Sequence, residues 1–240
     1  MALTKVIGAG VGSLTEDLAL SDSDKIKLGA GSDLQLYHDG THSYIDEVGT
    51  GSLYVRASII RWTNADGSET LGGVDADGGW FLKANNSNAL VIDTNGHITK
   101  PLQPAFLAHP ASTITNIATG ANNGLAFNTE RFDQNSDYNN SNYTFTAPVT
   151  GKYQANIVMY INNLDSAVAY YEFTLASSNK VYYTILDPDF GQDNAYFTLT
   201  FAALIDMDAA DTATIGLHQQ GGSSQTDISS LSMWSMYLVA

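Results

Sequence analysis

At 240 residues and 44% hydrophobic, the chain holds enough apolar material for one large or two modest packed domains. Twenty-five acidic side chains against ten basic ones leave a formal charge of −15, which repels phosphate backbones and argues against nucleic-acid binding. The absence of cysteine excludes disulfides, thiolate metal sites and a cysteine nucleophile.

In chain order, residues 1–12 are mildly apolar but too short for a signal sequence. No later apolar run approaches the ~20 residues of a membrane span, so no membrane insertion is expected. A short helix-like stretch covers 13–20; beyond it helical periodicity is nearly absent. From 21 to 100 the pattern is of very short strands, at 25–28, 33–38, 43–45, 53–56, 80–82 and 90–92, separated by Gly, Asn and Asp turns. Asp39-Gly40 and Asn95-Gly96 tolerate the positive φ angles of tight hairpins. Strands this short bury two or three side chains each and are marginal alone, so they need a stack or a partner; a trimeric β-structured shaft supplies both.

Two prolines in Lys100-Pro-Leu-Gln-Pro104 mark a boundary. After it the strands lengthen. Tyr153, Ala155, Ile157, Met159 and Ile161 form one alternating face; Ala169, Tyr171, Phe173 and Leu175 form the next. Phe197, Leu199, Phe201 and Ala203 follow, then Ala213, Ile215 and Leu217. This is the pattern of an antiparallel sandwich over 104–240. Its last strand, Met233–Val239, is apolar on both faces and must be covered on both, which points to an oligomer. The predicted fold class is therefore all-β: a short-strand shaft followed by an antiparallel sandwich.

Several residue clusters invite chemical readings. Tyr37-His-Asp-Gly-Thr-His42 puts two histidines around a turn, where a three-fold axis would gather six imidazoles round a metal, but an exposed hairpin tip is the plainer reading and the expected one. Asp187, Asp189 and Asp193 crowd three carboxylates around the flexible Gly191, a donor set suited to a hard cation such as calcium, against the plainer reading of solvated turn residues. Glu130, Asp133 and Asp137 are clustered carboxylates, but no nucleophile elbow or phosphate loop accompanies them, and no enzyme is expected. Thirteen tyrosines among Asn-, Ser- and Thr-rich segments suit either sugar contact or the filling of a subunit interface.

Two resemblances add to this reading. Pro104-Ala-Phe-Leu-Ala108, Leu125-Ala-Phe-Asn128, Tyr143-Thr-Phe-Thr-Ala-Pro-Val-Thr-Gly-Lys-Tyr153, Leu204-Ile-Asp-Met-Asp208 and the terminal Ser232-Met-Trp-Ser-Met-Tyr-Leu-Val239 resemble, in order, the globular head of complement component 1q. That resemblance implies a jelly roll related to tumour necrosis factor, forming tight homotrimers with the last strand near the three-fold axis. It implies that Trp234, Met236, Tyr237 and Tyr153 lie at the trimer interface, and it admits calcium near the apex as the one cofactor. Upstream, Asp24-Lys-Ile-Lys-Leu-Gly29, Gly31-Ser-Asp-Leu-Gln-Leu-Tyr-His-Asp-Gly40 and Gly49-Thr-Gly-Ser-Leu-Tyr-Val55 are similar to segments of structural and fibre proteins of tailed bacteriophages. The opening Met-Ala-Leu-Thr-Lys-Val is similar to the virion-docking start of such fibres. Together they imply a homotrimeric tail-fibre protein located on the virion and assembled in the host cytoplasm. Residues 1–20 would dock on other virion proteins, 21–100 would form the shaft, and the 104–240 head would bind a host surface glycan or protein through the 187–193 and 133–142 loops. The alternative is a capsid fibre or decoration protein whose trimeric tip is purely structural.

Overall fold

The computed structural model describes residue 17, residues 19–76 and residues 78–240. The proposed anchor at 1–20 and the helix-like stretch at 13–20 lie outside the described residues but for 17, 19 and 20. Among the described residues every regular element is a β-strand. The chain forms two compact units, Met1–Ala57 and Ser58–Ala240.

The first unit holds a three-stranded meander of β1 (Lys25–Leu28), β2 (Leu34–His38) and β3 (Ser43–Glu47). Asp39 builds the β2–β3 turn. Its Oδ1 accepts the backbone N–H groups of Thr41 at 2.9 Å and His42 at 2.8 Å, and its Oδ2 accepts the Tyr44 hydroxyl at 2.9 Å. Gly40 supplies the positive φ, +96°, that the turn demands. The His38/His42 motif is therefore a hairpin tip. The strand expected at 53–56 does not form: Leu53, Tyr54 and Val55 are exposed in irregular chain, because alternating apolar residues make a strand only where a second strand completes the ladder.

The second unit begins with a five-stranded meander of β4 (Ile60–Thr63), β5 (Thr70–Val74), β6 (Trp80–Ala84), β7 (Ser87–Ile92) and β8 (Ile98–Thr99). Side-chain amides anchor the 100–104 linker: Gln134 Nε2 donates to the carbonyls of Lys100 and Gln103, and Gln103 Nε2 donates to that of Leu238.

Beyond the linker come β9 (Ala105–His109), β10 (Asn122–Gly124), β11 (Thr129–Asp133), β12 (Tyr138–Asn139), β13 (Thr144–Thr146), β14 (Gly151–Leu164), β15 (Val168–Ser177), β16 (Val181–Leu186), β17 (Asn194–Met207), β18 (Thr212–Gly221), β19 (Asp227–Ile228) and β20 (Met233–Leu238). One sheet runs β11-β9-β20-β14-β17 with β19 also on β14; the other runs β12-β13-β18-β15-β16 with β10 also on β18. The first strand lies beside the last, and the chain passes repeatedly from one sheet to the other. That order is a jelly roll. The long strands β14 and β17 pair from Gly151↔Met207 to Leu164↔Asn194, which fixes the spine of the first sheet.

The core lies between the two sheets. Tyr153, Ala155, Ile157, Met159 and Ile161 enter it from β14, Phe106 and Ala108 from β9, and Trp234 and Met236 from β20, all essentially without solvent exposure. From the facing sheet come Tyr171, Phe173 and Leu175 of β15 with Ala213, Ile215 and Leu217 of β18. Each fully buried aliphatic or aromatic side chain contributes roughly 1.5–3 kcal/mol. One detail of the expected alternation differs. A register shift between Val168 and Tyr170 turns Ala169 outward and Val168 inward, a bulge that apolar spacing alone does not reveal.

Candidate functional site

Strand direction decides which loops share an end of the sandwich. β14 starts beside the chain terminus, where Lys152 N donates to the Ala240 carbonyl, and ends at Leu164. Its far end therefore meets the loops that precede β15 and β17 and follow β18. There Asp193, expected as a cation ligand, is a hydrogen-bond hub. Its Oδ1 accepts Ser166 N at 2.9 Å and Ser166 Oγ at 2.8 Å, and its Oδ2 accepts Gln225 Nε2 at 2.8 Å. These bonds, that from Gln225 first, hold its carboxyl below the usual carboxylate range.

Behind it sits Asp165, only 4% exposed. Burial pushes its carboxyl up, but the Ser223 N–H and hydroxyl and the Ala167 N–H together outweigh that and hold it below the ordinary value. Gly222 makes this possible: its φ is +70°, and a Cβ there would lie 2.6 Å from Asp165 Oδ2. The buried Tyr171 hydroxyl completes the support, sharing a 2.7 Å bond with Thr226 Oγ1 and accepting Asp165 N at 2.9 Å.

Above this platform Asn163, Asp193, Asn194, Ala195 and Gln225 line an open depression of about 340 Å³. Asn163 Nδ2 is held by Asp227 Oδ2 at 3.0 Å, so amide and carboxylate groups face solvent in fixed orientations. Tyr196, 71% exposed, stands next in the chain and is paired across the sheet with Asn162. Fixed amides and carboxylates beside an exposed aromatic ring are the equipment for hydroxyl-rich ligands. The sequence points to Asp193 and, through the Asn162-Asn163 pair in its amide-rich segments, to Asn163, but not to Ser166 or Gln225, which only the folded chain brings to them.

The remaining expected residues fall out differently. Asp187 and Asp189 do not join Asp193: among the described residues no group of three His, Asp or Glu side chains is gathered for a metal ion. Asp193 has instead committed both oxygens to neighbouring donors. The 133–142 loop lies at the opposite end of the sandwich, where Asp133 pairs with Phe106 and Gln134 bonds the linker. Asp133 caps that loop by accepting Asp137 N and Tyr138 N. Burial, then the Asp133 charge, raises Asp137.

Trp234, Met236 and Tyr153 are corrected more sharply. All three are fully buried inside their own chain, so no partner surface remains on them. Trp234 meets Phe106 edge-on at 5.0 Å and Tyr138 at 5.4 Å, while Phe145 links Phe106 to Tyr153. The cover for this face of β20 is the second sheet. Tyr237, 45% exposed, is the one of the four that points outward.

The outward face to which Tyr237 belongs has its own character. Across the first sheet, register rows place Tyr237 beside Gln154 and Leu204, Ser235 beside Asn156 and Ala202, and Met233 beside Val158 and Thr200. In a chain of charge −15, these nine positions carry no charge. Charge returns only at the edge, with the Lys152–Asp206 ion pair. The sandwich is also open along one side, where β16 and β17 form the free edges of the two sheets and Tyr182, Thr184, Phe201 and Ala203 border a cleft of about 340 Å³.

No protein-family model matches the chain, and no curated protein matches it. Solved structures similar to it include the globular domain of zebrafish complement 1qA protein, at 14% identity and a TM-score of 0.44, covering 57% of this chain and 98% of that one. Murine APRIL is similar at 8% identity and a TM-score of 0.42, covering 57% and 99%. Eiger TNF from S. frugiperda is similar at 12% identity and a TM-score of 0.39, covering 57% and 93%. The jelly-roll assignment stands on the strand order itself.

Proposed function

We propose that the chain is a homotrimeric fibre protein of a tailed bacteriophage whose jelly-roll head adheres to a host surface glycan. The head trimerises by setting the uncharged outer face of β9, β20, β14 and β17 of one copy against the open β16–β17 edge of the next. Two different patches make a head-to-tail contact, which closes into a ring when three copies complete the rotation. Burying such a face removes apolar area from water without stranding a charge.

The observation that supports adhesion is the Asp193–Gln225–Asn163 depression with Tyr196 beside it, at the end of the sandwich remote from the linker. Three copies on one axis turn a weak sugar contact into avid attachment. The phage setting is supported by the likeness of residues 24–55 to bacteriophage structural proteins.

Glycan-array binding by the full chain, alongside Asp193→Ala, tests this reading. The adhesin binds at micromolar concentration and the variant loses the signal. A trimer that binds no glycan at that concentration favours the structural tip of a capsid fibre instead.

A further inference from the structure

The β4–β8 sheet has two unlike faces, and cross-strand register shows which residues belong to each. In antiparallel pairs, directly opposed residues point the same way. One row runs Ile60, Val74, Trp80, Ile92, Ile98, and the next runs Trp62, Gly72, Leu82, Leu90. Those nine positions hold no polar side chain. The opposite face carries Arg61, Gly73, Phe81, Val91 and Thr99 in register, with Arg61 over the Phe81 ring at 5.0 Å and ion-paired to Asp75. That side is finished for water. The apolar side is not: Trp62, Trp80, Leu82 and Ile98 are 48%, 52%, 53% and 63% exposed.

These four side chains alone leave on the order of 500 Å² of apolar surface open, as much as the largest patch of a typical monomer. Apolar area of this size is not left in water without penalty. Gly72 deepens the surface into a trough. A Cβ there would meet Leu82 at 3.1 Å and Trp62 at 3.3 Å, so the two large side chains lean in over the glycine.

We infer that this face is covered by the same face of two further copies of the chain, so that the three β4–β8 sheets pack apolar side inward around the three-fold axis of the head. The inference rests on the trimeric reading of the head. Three features select a second copy over a foreign partner. The face bears no charge, so identical copies of a strongly acidic chain meet there without repulsion. Its sheet leads from Thr99 through the linker into β9 at Ala105, so head assembly delivers the sheets to one another at high effective concentration. The exposed area, on the order of 500 Å², is also more than half of the ~800 Å² per partner of a standard interface.

Hydroxyl-radical footprinting of the full chain, read by mass spectrometry beside a light-scattering mass, tests the inference. Trp234 is the internal standard, being fully buried within its own chain. Expected is a trimer in which Trp62 and Trp80 oxidise as slowly as Trp234. In Leu82→Lys the head keeps the trimeric mass, but oxidation of Trp62 and Trp80 rises to that of exposed residues such as Tyr54. A trimer with both tryptophans freely oxidised overturns this inference alone. A single-chain mass overturns it together with the head reading, and protection at that mass would make residues from elsewhere in the same chain the cover. A Leu82→Lys trimer with its tryptophans still protected also overturns it.

Discussion

The jelly roll and the β4–β8 sheet use the same material, antiparallel strands with apolar residues at every second position, and dispose of it differently. In the jelly roll two sheets face each other, and each supplies the cover for the other: Trp234, Tyr153 and Phe106 from one meet Tyr138 and Phe145 from the other. The β4–β8 meander has one sheet and one apolar face, and Trp62 and Trp80 remain half in solvent. Size explains the contrast. The fourteen-residue β14 buries a full row of side chains, whereas strands of two to six residues bury too few to close a core of their own. A large apolar residue thus has a different meaning in the two regions: in the head it stabilises the chain, and in the short sheet it waits for another chain.

The comparison is broken most directly at the two kinds of tryptophan. Trp234→Ala removes the centre of the head core and should cost about 3–5 kcal/mol in denaturant unfolding, whereas Trp80→Ala should leave head unfolding unchanged. Equal losses at both positions would mean that the two regions share one core. Next in size is Tyr237→Asp, which adds a charge to the uncharged outer face. The expected result is a drop from trimeric to single-chain mass with the far-ultraviolet circular dichroism of the β-fold retained. A smaller effect is expected deeper in the head. Tyr171→Phe deletes the hydroxyl that joins Thr226 to Asp165 N and should lower stability by about 1–2 kcal/mol. The smallest is a pH effect. Asp165 and Asp193 are both held below their ordinary values, so their contribution is present above the unfolded value, roughly pH 4, and is lost as pH falls through the lower folded values. Hydrogen-exchange protection factors in residues 163–168 and 222–227, corrected for the intrinsic pH dependence of amide exchange, should accordingly stay flat from neutrality to about pH 4 and fall only below it.

Alternation makes the sandwich legible in the sequence: the β14, β15 and β18 faces are the ones buried, and two prolines mark the boundary before residue 105. What alternation does not encode is which face of a strand meets its own chain. Trp234 and Met236 read as interface because the last strand is apolar on both sides. The fold turns that row toward the second sheet and leaves Met233 and Tyr237 outside. β4 and β5 escape notice because Arg61 and the Gly72-Gly73 pair interrupt the apolar pattern, yet both glycines are buried, Gly72 where Trp62 and Leu82 close over the sheet and Gly73 under Arg61 on the other face. The distal depression is half visible. Asp193 stands in a conspicuous acidic segment, but its partners Ser166 and Gln225 come from loops far away in sequence, and only the direction of β14 and β17 brings them together.

Self-association in threes joins these readings, and one measurement tests it most directly. Light scattering on the full chain at micromolar concentration should give three times the 25.7 kDa chain mass, and Tyr237→Asp should return it to one. A wild-type chain that runs at 25.7 kDa would contradict the account.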